Sequence, residues 1–328
     1  MLNKSWRTGS MKWRAILTTA VLAISIYSLS PRPAFAQETG QKTFASPKDA
    51  SQALYAAVQA DDKAATLAVL GASASSIVES GDDVQDKNNR ATFLKSYGQM
   101  NRWEAVANGE RVLYLGADNW PFPIPLKKAA AGQWFFDTKA GLREILFRRI
   151  GKNELATIRV CRALVDAQQD YFGQAHDGDT THQYAQKFKS ESGKQNGLYW
   201  ETAEGQPQSP IGPLVAFATA KGYGGQHDSP QPFYGYYYRI LTAQGANAPG
   251  GAKSYIVDGK MTGGYAFIAY PSEYRNSGVM TFVVDQSGVV YQKDLGADTE
   301  KIARDMQAYN PDKTWVTAET GDDTDPAN

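Results

Sequence analysis

The chain has 328 residues, with 34 Lys+Arg against 34 Asp+Glu, 42% hydrophobic and 12% aromatic residues, and one cysteine. A single cysteine, Cys161, excludes an internal disulfide, so packing alone must hold the fold. Charge argues against a nucleic-acid partner. Five basic residues (Lys4, Arg7, Lys12, Arg14, Arg32) precede position 37, and without them 29 Lys+Arg face 34 Asp+Glu, a formal charge of −5 with no extended basic run.

Residues 1–36 read as a signal peptide. After the basic start, residues 15–30 (AILTTAVLAISIYSLS) carry no charge, and PRPAFA places the small Ala34 and Ala36 where a signal peptidase needs them. Cleavage is expected after Ala36, the apolar run being short for a membrane span. The expected location is periplasmic or secreted, with no membrane span after cleavage. Cys161 lies far from the cut, so a lipid anchor on a cysteine is not expected there.

Residues 37–45 read as a linker. Ser46-Pro47-Lys48-Asp49 combines a hydroxyl N-cap, a proline at the first helical position and an early acid, which predicts a helix carrying Ala50, Ala53, Leu54, Ala57 and Val58 on one face. Asp61-Asp62 opens a second helix that ends at Gly71. A third is predicted over 89–99 through Phe93, Leu94 and Tyr97. Strands over 103–107 and 111–115 flank Asn108-Gly109, a hairpin signal. Further strands are predicted over 120–128, pushed to an edge by its prolines, and over 133–137. Three helices followed by a curved antiparallel sheet is the element order of a cone-shaped, nuclear-transport-factor-like α+β domain, assigned to 46–150.

Residues 139–172 read as helical, with one stripe of Leu142, Ile145, Leu146 and Ile150 and another of Leu155, Ile158, Cys161, Val165 and Phe172. Gly151 and Asn153 predict a break between them, and the boundary to a second domain, 151–316, is placed there. From 173 to 231 the chain is rich in Gly, Pro, Ser and Gln, with helical fragments predicted over 182–191 and 212–221. Strands are predicted over 233–241, 264–270, 279–285 and 289–293, separated by turn clusters, then a helix over 298–309 stopped by Pro311. The acidic tail, 317–328, reads as disordered. The fold class expected is α+β, with a long helix followed by a C-terminal antiparallel sheet.

With these elements placed, YGYYYRIL and GGYAFIAYPSEYRNSGVMTFVVDQSGVVYQKDLG resemble an uncharacterised family of exported bacterial proteins, domain-of-unknown-function family 2950. FASPKDASQALYAAV, GQWFFDTKAG and GKNEL look similar to the same family. The resemblance implies a bacterial envelope protein and carries no catalytic residues. NELATIRVCRALVDAQQDYF followed by GYAFIAYP, SGVMTFVVD and SGVVY is also similar to the globular head of type IV pilins and pseudopilins. This chain departs from those in having a whole domain where the apolar half of the pilin helix would be, so the resemblance implies a soluble head-like module.

Bond-making chemistry finds little support. His176, Asp177, Asp179 and His182 fall within seven residues, but their spacing matches no known coordination order, and a solvated loop is the simpler reading. No G-x-S-x-G surrounds a serine; His227 beside Asp228-Ser229 is proximity only. Glu201, Glu204 and Glu273 form no recognisable acid pair. Gly222-Tyr223-Gly224-Gly225 lacks the lysine and helix of a phosphate loop. No catalytic residue, metal or cofactor is therefore assigned. Tyr234, Tyr236 and Tyr238 on one side of a strand with Arg239, together with Tyr270, Tyr274 and Arg275, are the candidate ligand-binding face for a glycan or an envelope protein. The expected function is non-enzymatic binding or scaffolding through this sheet. The alternative is a hydrolase or small-ligand binder using a pocket in the N-terminal cone-like domain.

Overall fold

The computed structural model describes residues 37–106, 109–129, 131–203, 205–223 and 231–319. Residues 1–36, expected to be a signal peptide, Asn108 of the expected hairpin tip, Glu204, the His227–Ser229 group and the end of the acidic tail lie outside the described residues. The chain is α+β. Helices α1 (Pro47–Gln59), α2 (Lys63–Leu70), α3 (Ser75–Val78) and α4 (Asp83–Gln99) come first. Strands β1 (Asn101–Ala105), β2 (Arg111–Leu115), β3 (Trp120–Pro121), β4 (Leu126–Lys128) and β5 (Trp134–Phe136) follow. Then come the long α5 (Thr138–Phe172), α6 (Gly212–Ala220), and strands β6 (Tyr236–Leu241), β7 (Ala243–Gln244), β8 (Lys253–Ser254), β9 (Ile256–Val257), β10 (Lys260–Met261), β11 (Ala266–Pro271), β12 (Met280–Asp285) and β13 (Val290–Asp294). Helix α7 (Thr299–Asp305) and strands β14 (Ala308–Tyr309) and β15 (Val316–Thr317) complete it.

The first sheet runs β1-β2-β4-β5, with β3 also on β2, all antiparallel. Helix α1 starts as its cap predicts, the Ser46 side chain accepting from the Asp49 N–H at 3.1 Å. Ala50, Leu54, Val69 and Leu70 then bury against Leu126, Trp134 and Phe136. Each such large apolar side chain contributes roughly 1.5–3 kcal/mol on leaving water. Helix α4 begins six residues before position 89, because Asp82 caps it by accepting the Gln85 N–H at 2.9 Å. The strand predicted over 120–128 is two short strands; Pro123 and Pro125 stand between them and offer no N–H to a ladder.

The second sheet runs β15-β13-β12-β11-β6, also antiparallel. Helix α5 lies on one face: Ile158, Cys161, Leu164 and Val165 share a core with Phe267, Ala269, Phe282 and Val284. Helix α7 covers the other face, where Ala303 is fully buried. The helix predicted over 182–191 is irregular chain instead, tied by a parallel bridge between Lys189 and Tyr199, by the Tyr184 N–H on the Met261 carbonyl, and by the Gln168 side chain of α5, which bonds both the N–H and the carbonyl of Ala185.

The break expected at Gly151–Asn153 does not occur; α5 runs unbroken for 35 residues. Asn153 is fully buried inside it, and its side chain is satisfied by partners distant in sequence, not by a cap. The second apolar stripe is correct at Ile158, Cys161 and Val165. Leu155 points outward, and Tyr171 is buried where Phe172 was expected.

Candidate functional site

The seven residues of the expected binding face do not converge. Tyr236 is 0% exposed, stacks obliquely on Phe282 at 5.7 Å and donates its hydroxyl to the Met280 carbonyl at 2.9 Å. Tyr238, on the same side of β6, donates toward Thr157 of α5. Burial holds both phenols well above their ordinary pKa. These two rings belong to the core under α5. Arg239 faces the other way, its guanidinium donating to the Arg304 and Met306 carbonyls at the end of α7. Tyr270 lies beside Tyr237 on that covered face. Tyr234 sits before the strand in a turn with φ 53°, an uncommon conformation for a residue with a Cβ. Tyr274 and Arg275 are separate, the tyrosine hydroxyl on Asp294 and the guanidinium over the Tyr274 ring. Alternation along β6 shows which side chains share a face of the sheet and not whether that face is covered, and tyrosine is at home on either kind of face.

The histidine loop is likewise dispersed. His176 is buried, whereas the His182 ring donates to the Phe172 carbonyl at 2.7 Å. Asp177 accepts the Gln195 N–H, and Asp179 pairs with Lys260 at 2.7 Å, which holds its carboxyl down at about 2. Among the described residues no three such groups are placed to share a metal ion.

A buried polar junction joins α5 to two loops. Arg149 donates to the carbonyls of Ser76 (2.6 Å) and Ile77 (2.7 Å) and to the Asn276 side chain (2.7 Å). Asn276 in turn donates to the Glu79 carbonyl and to the Glu273 carboxylate. One turn on, Asn153 donates to the Ser277 carbonyl and accepts from Gln85, both at 2.9 Å. Asp82, 1% exposed, accepts the Tyr223 hydroxyl at 2.7 Å and the Gly235 N–H at 3.0 Å besides its capping bond. Burial raises the carboxyls of Asp82 and Asp86, the hydrogen bonds only partly offsetting it. Gly235 is required here: φ is 70°, and a Cβ would lie 2.7 Å from the Asn153 amide nitrogen. These groups are committed to one another, so the junction reads as structural.

Open space lies at the far end of α5. Two adjoining clefts of about 570 and 680 Å³ share Trp200, Glu201, Thr202, Gln208 and Ser209. Asp170 and Gln174, at and just beyond the end of α5, close one side, and Val215 and Thr219 of α6 close the other. The sequence builds this place through one clamp. His176 stacks on Tyr171 at 4.0 Å and donates from Nε2 to the Tyr171 carbonyl at 2.9 Å. The Tyr171 hydroxyl donates to the Gln195 carbonyl at 2.7 Å, and burial, with Asp177 adding to it, pushes that phenol up to about 12. Trp200 rests edge-on against His176 at 5.6 Å, so its ring is fixed before any ligand arrives. Leu198, fully buried, anchors the same segment from below.

Ser209 is the most telling residue. It lines both clefts and is 2% exposed, and its hydroxyl has no hydrogen-bond partner among the described residues. A buried hydroxyl left unpaired costs about 1–3 kcal/mol, so a group that pairs with it gains from doing so. Sequence reasoning missed this site because its residues lie in a Gly-, Pro- and Gln-rich stretch without periodicity. The one available signal was Tyr199-Trp200 standing amid polar chain. No curated protein and no solved structure matches the chain. A family model described as a protein of unknown function, DUF2950, matches residues 41–318, from the residue tied beneath α2 to the end of β15. The chain belongs to that family.

Proposed function

We propose that this chain is an exported bacterial envelope protein that binds its ligand, without bond-making chemistry, in the cleft around Trp200. The leader pattern of residues 1–36 supports export to the periplasm or beyond, and no helix among the described residues is long and apolar enough to cross a membrane. The observation that carries the binding reading is the pairing of a pre-positioned indole with the orphaned Ser209 hydroxyl in one concave site. The partner is an envelope glycan or protein. A hydrolase in the N-terminal half draws on one observation, the raised carboxyls of Asp82 and Asp86. Their burial and their commitment to Gln85, Tyr223, Gly235 and Ser80 favour a structural role.

Cysteine labelling tests the cleft. Burial pushes the Cys161 thiol up to about 12, so it stays inert while an introduced thiol reacts. Thr202→Cys labelled with a bulky maleimide plugs the cleft, and the exposed Lys301→Cys on α7 is the control. Labelled Thr202→Cys should lose retention on envelope particles from the native bacterium and labelled Lys301→Cys should keep it. Equal retention by both would reject the cleft.

A further inference from the structure

The chemistry of the cleft narrows its ligand, given the reading of that cleft as the binding site. Among the described residues no Lys, Arg or His side chain lines either cleft, whereas Asp170 and Glu201 do. An anionic polymer would meet two carboxylates there, so acidic ligands are disfavoured. The remaining polar lining is dominated by side-chain amides: Gln174, Gln195, Gln206 and Gln208. Each amide offers a donor and an acceptor side by side, as each carboxylate offers two acceptors. That arrangement matches neighbouring hydroxyl groups, which donate and accept at similar spacing. The Ser209 hydroxyl, buried and unpartnered, adds a group able to do either. Trp200 supplies a flat apolar plate with one polar tip, suited to the C–H face of a pyranose ring. The plate is held by Tyr171 and His176, so its ordering is not charged against binding.

We infer that the Trp200 cleft binds a neutral oligosaccharide, with the indole stacking on one sugar ring and Ser209, Gln208 and Glu201 hydrogen-bonding its hydroxyls. A volume of about 570 Å³ falls within the ordinary range for small-molecule sites and suits a short segment of glycan, free or as part of a wall polymer. A basic peptide, attracted by the carboxylates, is the competing class. It leaves the amides and the indole plate without a specific role.

The test is isothermal titration of the purified protein with cellotetraose and chitotetraose (neutral), tetragalacturonate (anionic) and tetralysine (cationic). A neutral tetramer should bind most tightly. Trp200→Ala should weaken it at least about tenfold and Trp200→Phe should recover most of the loss. Ser209→Ala should weaken it about fivefold, the weight of one hydrogen bond. Melting of each variant no lower than that of the parent shows that folding is not the cause, Ser209→Ala being expected to melt higher because it removes an unpaired buried hydroxyl. Insoluble cellulose and chitin, assayed by co-sedimentation, distinguish wall polymer from free oligosaccharide as the source. Tighter binding of tetragalacturonate or tetralysine overturns the inference. So does the absence of any neutral binding while the Thr202→Cys plug still blocks envelope retention, in which case the cleft stands and its ligand class falls. Neutral binding that ignores Trp200→Ala overturns both the inference and the cleft.

Discussion

Replacing Arg149 with methionine should loosen the join between the two halves of the molecule. The guanidinium makes three hydrogen bonds of 2.6–2.7 Å, to the Ser76 and Ile77 carbonyls and to Asn276, from the middle of α5. Its burial opposes the charge and lowers its pKa, so removing it recovers some desolvation cost. Against that, three acceptors lose their donor, and the carboxylates of Asp86 and Glu273 lose the cation that offsets them. Breaking a buried charged group out of its network costs about 3–5 kcal/mol, and the orphaned acceptors decide the sign. In a chain this long, roughly 2 °C of melting temperature corresponds to 1 kcal/mol, so Arg149→Met should melt about 6–10 °C lower. Differential scanning calorimetry reads this directly. Arg149→Lys, which keeps the charge and loses the planar fork, should fall between. The hydrophobic clusters around Leu54 and around Phe267 are separate, so the transition of Arg149→Met should also broaden or divide. A variant that melts within about 1 °C of the parent, in one sharp transition, would refute the assignment of the junction.

Three further outcomes follow from the same geometry. Gly278→Ala drives a Cβ into the hydroxyl end of the Tyr236 ring and should cost about 1–3 kcal/mol by chemical denaturation; Tyr236→Phe should leave most of that cost, since the ring carbons Cζ and Cε2 would still lie 2.5 and 2.6 Å from the new Cβ, and full relief by Tyr236→Phe would count against this contact. Tyr236→Ala should cost about 3–5 kcal/mol, as a buried ring does, whereas a silent substitution would return this tyrosine to the surface. Asp82 and Asp179 should act oppositely with pH. The folded-state pKa of Asp82 is raised above 3.8, so its contribution to stability falls as pH rises through that raised value; that of Asp179 is lowered to about 2, so its contribution is present above 3.8 and is lost as pH falls toward 2. Urea unfolding from pH 3 to pH 7 should show Asp82→Asn flattening the decline toward neutral pH; an unchanged slope would contradict a protonation shift at Asp82.

The sequence carried the fold where local chemistry decides structure. Ser46-Pro47 and Asp62 cap α1 and α2 as written, and Gly71 ends α2. The strands around Ile268 and Val283 were visible as apolar runs because both faces of their sheet are covered. That same double covering hid the fate of Tyr236 and Tyr238, since alternation does not tell a helix-covered face from an open one. Asn153 read as a breaker because its partners, Gln85 and Ser277, lie 68 and 124 residues away. The start of α4 was missed although Asp82 is a good N-cap, since Asp82–Asn88 offers only Val84 as an apolar residue and hence no period. The cleft was the least legible feature. It is made where irregular chain returns to the end of α5, and only tertiary structure brings Asp170, Trp200 and Ser209 together.

The central claim is that ligand enters the cleft at Trp200. Fluorine NMR of protein carrying 5-fluorotryptophan tests it most directly, since Trp103, Trp120, Trp134, Trp200 and Trp315 report from separate places after position 36. On addition of cellotetraose or chitotetraose, the resonance that disappears in Trp200→Phe should shift or broaden in proportion to ligand bound while the others hold still. Saturable movement at any of the other four, with Trp200 unmoved, would contradict the account.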